Sequence, residues 1–195
     1  LQELGMPIIA IDRTLDPARF CSVISDDCEA SLQLTRSLLQ PIPRQIALIG
    51  ARPELSVSQA RAAGFKKALE GFEGDILIEH GSAFSRECGR RIIDELLERL
   101  GHLPDALVTT SYVLLQGMFD ALLEHPEHKP PLRLATFGDT QLLDFLPLPV
   151  NAMGQQHQMI AEKALDLALA AIEEQRYEPG IHAIARVFKQ RIHQA

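Results

Sequence analysis

The chain has 195 residues, 46% of them apolar and 23% charged, enough for one sizeable core or two small lobes. Its 26 acidic side chains outnumber 19 basic ones for a net charge of −7, a balance that does not attract nucleic acid, so any DNA contact must come from residues outside this chain. No uncharged apolar run approaches the roughly 20 residues that span a bilayer, and no basic-then-apolar signal peptide is present, though an opening "LQELGMPIIAID" without methionine is expected to continue from residues upstream.

In chain order, "MPIIAID" (6–12), "CSVIS" (21–25), "QIALIG" (45–50), "DILIEH" (75–80), "ALVTT" (106–110), "LRLATFG" (132–138), "VNAMG" (150–154) and "HAIARVF" (182–188) read as strands. Several are near-continuous apolar runs, the pattern of parallel strands covered on both faces. Helical patterns fall at about 28–40, 57–70, 85–100, 112–125 and 156–175. In the third of these, Cys88, Ile92, Leu96 and Leu100 line one stripe opposite arginine and glutamate. Ser85 and Ser111 are predicted N-caps, and Asp26 or Asp27 is predicted to cap the first helix. The proline-rich pieces "QPIPR", "HPEHKPP" and "LPLPV" read as loops.

This alternation predicts an α/β fold with a doubly wound parallel sheet and right-handed crossovers. Ligands of such sheets bind beyond the carboxyl ends of the strands. One asymmetry stands out: the first strand reaches the second through "RTLDPARF" with no long crossover helix. The leading piece is therefore expected to belong to another lobe, most of it upstream.

Polar groups gather where strands end. Asp12 and Arg13 follow the first strand; Ser56, Ser58 and Arg61 follow "QIALIG"; Phe84 follows "DILIEH". Thr110 and Ser111 follow "ALVT", and Thr136 and Asp139 follow or end "LRLATF". Arginines, carboxylates, hydroxyls and an aromatic ring suit a phosphorylated sugar. Carboxylates accept from vicinal hydroxyls, a ring covers the apolar sugar face, and guanidinium forks onto phosphate. A plainer reading stands beside each residue: Asp139 as a loop or cap residue, Phe84 as core, Arg61 as a solvated helix residue paired with Glu54.

Enzyme signatures are absent: there is no G-x-S-x-G, no H-E-x-x-H and no P-loop. Cys21, Cys28 and Cys88 lack the paired short spacing of a zinc site and read as reduced, buried thiols of a cytoplasmic protein. His125 and His128 in "EHPEHK" read as a solvated loop rather than metal ligands, and His157 as the start of a helix.

"PIIAIDR", "SDDCEASLQLTRSLL", "IALIGARPELSVSQARAAGF", "DALVTTSYVLLQG" and "LATFGDTQLLDFLPLPVNAMGQQHQMIAEKAL" resemble the effector-binding domain of LacI/GalR-type transcription regulators. The likeness covers essentially the whole chain. It implies a periplasmic-binding-protein-like fold of doubly wound parallel-sheet lobes, one complete here and the other partial. Residues 1–24 would end the first lobe, 25–149 form the second, 150–177 return to the first, and 178–195 add a last strand and tail to the second.

The resemblance further implies an effector held in the cleft, operator DNA bound through a helix-turn-helix headpiece absent from this chain, and a homodimer or tetramer. It implies no enzyme activity, cofactor, metal or membrane association. Position by position, Arg61 matches the family's effector-binding arginine in R-x-x-G-F, Phe84 its aromatic over the ligand ring, and Asp12 and Arg13 its D-R pair. Ser111 replaces the asparagine of the usual N-D pair. In "TFGD", Gly138 replaces the first aspartate of G-[FY]-D-D and Asp139 is the second. Ser56 lies in the serine loop before Arg61, and Val57 stands where purine-binding relatives have a hydroxyl, against a nucleobase effector. "PELSVSQARAAGF", "TTSYVLLQG" and "TFGDTQLLDFL" resemble the family's fructose-responsive regulators, implying fructose 1-phosphate as effector and fructose 1,6-bisphosphate as a weaker ligand. The alternative within the same fold is a periplasmic sugar-binding protein of a transporter.

Overall fold

The computed structural model describes residues 6–126 and 131–192. In chain order its elements are β1 (Ile9–Ile11), β2 (Cys21–Ser25), α1 (Asp27–Arg36), β3 (Gln45–Ala51), α2 (Ser56–Ala68), β4 (Asp75–Gly81), α3 (Arg86–Leu100), β5 (Ala106–Thr109) and α4 (Tyr112–Glu124). There follow β6 (Arg133–Phe137), a 3-10 turn over Gln141–Phe145, β7 (Val150–Gly154), α5 (His157–Glu173), β8 (Gly180–Ile184) and β9 (Val187–Lys189). The chain divides into two units, Leu1–Asp26 with Gln155–Val187 and Asp27–Gly154 with Phe188–Ala195.

The larger unit is built on a sheet ordered β4-β3-β5-β6-β7-β9, in which the first five strands run parallel. Side chains alternate across a strand, so an apolar run buried on both sides feeds two cores. Ile46 and Leu48 of β3 face Leu34 and Phe65 of α1 and α2, whereas Ala47 and Ile49 face Ile93, Leu114 and Met118 of α3 and α4. β5 repeats the division, with Val108 on the first side and Leu107 on the second. Helices thus cover both faces, as the doubly wound pattern predicts.

Glycine lets each helix pair approach closely. A Cβ at Gly64 of α2 would lie 2.0 Å from the Cys28 carbonyl oxygen of α1, and one at Gly117 of α4 would lie 1.8 Å from that of Arg86 in α3. The amphipathic helix α3 is bounded as expected. The Ser85 hydroxyl accepts from the Cys88 N–H at 3.1 Å, and Gly101, at φ 73°, returns its N–H to the Leu97 carbonyl.

The smaller unit holds the parallel sheet β1-β2-β8. Val23 of β2 packs beneath Ile160 and Ala164 of α5, with Ile9, Leu167 and Ile184 around them. The Tyr177 hydroxyl accepts from the Cys21 N–H at 3.0 Å and donates to the Ile8 carbonyl at 2.7 Å, fastening the loop after α5 to β1 and β2.

The elements differ from the sequence reading at three places. "HAIARVF" is two strands, because the chain changes sheets there: β8 pairs with β2, and β9 joins the larger sheet beside β7. β7 itself pairs with β6, so the smaller unit takes 155–187 where the sequence reading drew 150–177, and Gly180–Ile184 lies in the smaller sheet. α1 stops at Arg36, and its exit tightens through Leu38 N–H to Thr35 carbonyl and Leu39 N–H to Arg36 carbonyl before Pro41.

Candidate functional site

β3 and β5 are neighbours in the sheet, but the chain leaves β3 towards β4 on one side and leaves β5 towards β6 on the other. Their shared carboxyl edge is the topological switch point, where open α/β sheets leave a crevice for ligands. The loop into α2 and the Thr110–Ser111 step into α4 flank it.

Arg61 stands in the buried stripe of α2, with Ser58, Gly64, Phe65 and Ala68, at a position where packing alone calls for an apolar residue. A buried guanidinium is costly unless paired. Here Nε donates to Asp27 Oδ1 at 2.8 Å, Nη1 donates to the Thr110 carbonyl at 2.5 Å, and the guanidinium carbon lies 4.1 Å from the centre of the Phe137 ring. The Arg61 and Asp27 side chains are 11% and 12% exposed. The plainer reading of Arg61 as solvated and paired with Glu54 is thereby corrected. Glu54 pairs with Arg52 at 2.8 Å on the surface, two residues away, while Arg61 turns inward.

The neighbouring hydroxyls divide their work. Ser58 is buried and donates to the Ala51 carbonyl at 2.7 Å, closing the loop after β3. Ser56 is exposed at the first residue of α2, whose N-cap, Leu55, offers no side-chain acceptor. Ser111 caps α4, its hydroxyl accepting from the Leu114 N–H at 3.4 Å. Thr109 donates to Thr136 across β5 and β6 at 2.7 Å, whereas the Thr110 hydroxyl oxygen is buried without a hydrogen-bond partner among the described residues.

Phe84 is partly buried and packs against the α3–α4 core, which joins its core reading to an exposed edge. Asp139 accepts from Arg191 Nη2 at 2.7 Å, and Arg191 Nε also donates to Asp144 Oδ1 at 2.7 Å. Asp144 is held below the usual carboxylate range by hydrogen bonds from Lys189 and then Arg191. Gly138 adopts φ 95°, a left-handed geometry that strains any residue with a side chain. In the smaller unit Asp12 also has a left-handed backbone, φ 56°, and accepts from Gln155 Nε2 at 2.7 Å; Arg13 beside it is exposed.

Within the larger unit Ser56, Arg61, Phe84, Ser111 and Asp139 therefore all follow carboxyl ends of strands. Arg61 and Ser111 are brought together through Thr110, while Asp139 is drawn to the carboxy-terminal segment. Sequence reasoning missed Asp27 as the partner of Arg61, Phe137 as the plate beneath it and Arg191 as the partner of Asp139. The signal for Phe137 was its place at the end of β6, adjacent to the switch point. His157 begins α5, His125 sits 3.7 Å from Asp94, and His128 lies outside the described residues. Among the described residues, no helix is long and apolar enough to cross a membrane.

The family model for periplasmic binding proteins and the sugar-binding domain of the LacI family matches residues 1–130. The chain belongs to this family. The fructose operon regulatory protein of Vibrio cholerae is 47% identical over 191 residues, covering 98% of this chain and 58% of the relative. The catabolite repressor/activator of Escherichia coli is 38% identical over 182 residues, covering 92% of this chain and 54% of the relative. The chain thus spans somewhat more than half the length of these curated relatives. Among solved structures, the Cra transcriptional dual regulator from Pseudomonas putida in complex with fructose 1-phosphate superposes with a TM-score of 0.94 and 67% identity, covering 98% of this chain and 71% of that one. The expected periplasmic-binding-protein-like fold is the one observed, with two α/β units each built on parallel strands.

Proposed function

We propose that this chain is the effector-binding part of a cytoplasmic transcription regulator of carbon metabolism, and that it senses fructose 1-phosphate and catalyses no reaction. The observation that carries the reading is the buried Arg61 at the switch point, in a chain 67% identical to a regulator solved with that ligand. A guanidinium oriented by Asp27 and Phe137 supplies charge-assisted hydrogen bonds to an anionic sugar. Ser56, Phe84 and Ser111 complete the proposed contact set of the larger unit, Asp12 and Arg13 are the proposed ligand residues of the smaller unit, and Asp139, engaged by Arg191, is left out of the set. The names of the similar regulators support this reading over a transporter's sugar-binding protein.

Operator DNA is bound by a helix-turn-helix outside this chain, in keeping with the acidic charge here, and two copies act as a homodimer. The effector changes DNA binding only through its differential affinity for two states of the regulator. Moving a 1:99 equilibrium to 99:1 takes about 5.5 kcal/mol. A charged ligand gripped by Arg61 in one state and not the other can supply that difference.

The test is calorimetric titration of the full-length protein with fructose 1-phosphate, beside Arg61→Ala. Saturable binding in the wild type and at least a hundredfold loss in the variant are expected. Equal affinity in both removes Arg61 from the site, and absence of binding in the wild type removes the effector.

A further inference from the structure

We infer that Asp27 is a positioning residue for effector recognition, holding the Arg61 guanidinium in its binding orientation and tying it to the point where the chain enters the larger unit. The inference rests on the proposed role of Arg61. Three constraints orient that guanidinium: the Asp27 carboxylate at Nε, the Thr110 carbonyl at Nη1 and the Phe137 ring against its face. Thr110 and Phe137 come from the sheet, whereas Asp27 comes from α1. Asp27 is also the only one of the three that bears a charge to balance the guanidinium.

The position of Asp27 in the chain adds a second argument. It is the first residue of α1 and of the larger unit. Its predecessor Asp26 donates its backbone N–H to the Ile184 carbonyl of β8 at 2.9 Å, within the smaller unit. Consecutive residues are thus fixed to different units, and the second of them grips Arg61. The rest of the α1–α2 contact is built to hold this geometry. Ser31 Oγ donates to the Arg61 carbonyl at 2.6 Å, and Gly64 admits the Cys28 backbone where a side chain would not fit. Asp27 thus holds Arg61 from the residue at which the chain passes into the larger unit.

A merely structural Asp27 would change stability alone; a positioning residue changes affinity only while Arg61 is present. The experiment compares full-length wild type, Arg61→Ala, Asp27→Asn, Asp27→Ala and the Asp27→Ala/Arg61→Ala double variant by calorimetry with fructose 1-phosphate. Asp27→Asn keeps an acceptor for Nε and loses only the charge, so it guards against a misfolded alanine variant. Asp27→Ala is expected to bind ten- to a hundredfold more weakly and Asp27→Asn to fall between it and wild type. The double variant is expected to bind no worse than Arg61→Ala.

The second readout needs no ligand. The Arg61 Nε–H resonance, identified by its disappearance in Arg61→Ala, is expected to exchange slowly with solvent in wild type and rapidly in Asp27→Ala. Asp27 variants within twofold of wild-type affinity, or an Nε–H that stays protected in Asp27→Ala, would overturn the inference. Wild-type protein that ignores fructose 1-phosphate defeats the functional reading instead, and the exchange measurement then decides alone whether Asp27 orients Arg61.

Discussion

Arg191 Nη2 stands 2.7 Å from Asp139 Oδ1, and the Arg191 side chain is only 8% exposed where this pair forms. The same guanidinium meets Asp144, and the backbone N–H groups of Arg191 and Ile192 both donate to Asn151 Oδ1 of β7. Phe188 and Ile192 pack on the α1–α2 core. The carboxy-terminal segment is thus pinned to the larger unit by two carboxylates, one amide and two apolar side chains.

Removing the cation should expose how much of this docking is electrostatic. Arg191→Met removes the donor of Asp139 and leaves Asp144 to Lys189 alone. Hydrogen bonds to charged groups contribute about 1.5–3 kcal/mol each, so a loss of about 2 kcal/mol in urea unfolding is expected. Asp139→Asn should cost less stability and leave effector affinity within twofold of wild type. A large affinity loss in that variant would return Asp139 to the ligand.

Acid should loosen the same segment. Lys189 first and Arg191 second hold the Asp144 carboxyl below its ordinary value. A carboxyl whose folded value is depressed contributes stability that is fully present above the unfolded value of about 3.9 and is lost as pH falls through the folded value. Unfolding free energy measured from pH 6 down to pH 3 should therefore fall more steeply for wild type than for Asp144→Asn. Parallel slopes would show that Asp144 does not supply this dependence.

What could be read from the linear chain followed from how locally each feature is encoded. β3, β5 and β6 announced themselves because a strand buried on both faces needs an unbroken apolar run, and Ser85 and Ser111 because a cap acts within three residues. Arg61 was visible as a charge after a strand end, and the family pattern gave it an effector role. Its partners were not visible, since Asp27 lies 34 residues away and Phe137 farther still. Asp139 and Arg191 are separated by 52 residues, and no spacing rule links them. The split of 182–188 into β8 and β9 escaped notice because the chain changes sheets there, a choice made by distant partners.

The α1–α2 crossing offers a test that joins stability to the site. At Gly64 a methyl group would sit 2.0 Å from the Cys28 carbonyl oxygen and 2.8 Å from Ser31 Cβ, so the two helices must part to admit it. Overpacking of this kind costs about 1–3 kcal/mol and can exceed that where backbone has to move. Because α1 carries Asp27 and α2 carries Arg61, Gly64→Ala should also weaken binding of fructose 1-phosphate. Chemical denaturation and calorimetry on one preparation measure both effects, and full affinity despite lowered stability would separate the crossing from the site.

The three cysteines should differ in reactivity for physical reasons. Cys21 is 1% exposed, its thiol donates to the Glu178 carbonyl at 2.8 Å, and burial raises its pKa, the Tyr177 contact offsetting part of the rise and Glu178 opposing the thiolate further. Cys88 is buried on α3 beside Gly81, and Cys28 is half-buried on α1. The thiolate is the attacking species, so access and ionisation both decide the rate. Brief treatment of the folded protein with iodoacetamide at neutral pH, read by peptide mass spectrometry, should label Cys28 first and leave Cys21 and Cys88 largely unmodified. Tyr177→Phe removes the hydroxyl that ties Cys21 to Ile8, and should raise Cys21 labelling several-fold as the loop loosens. Early labelling of Cys21 in the wild type would mean that the loop after α5 opens far more readily than its hydrogen bonds imply.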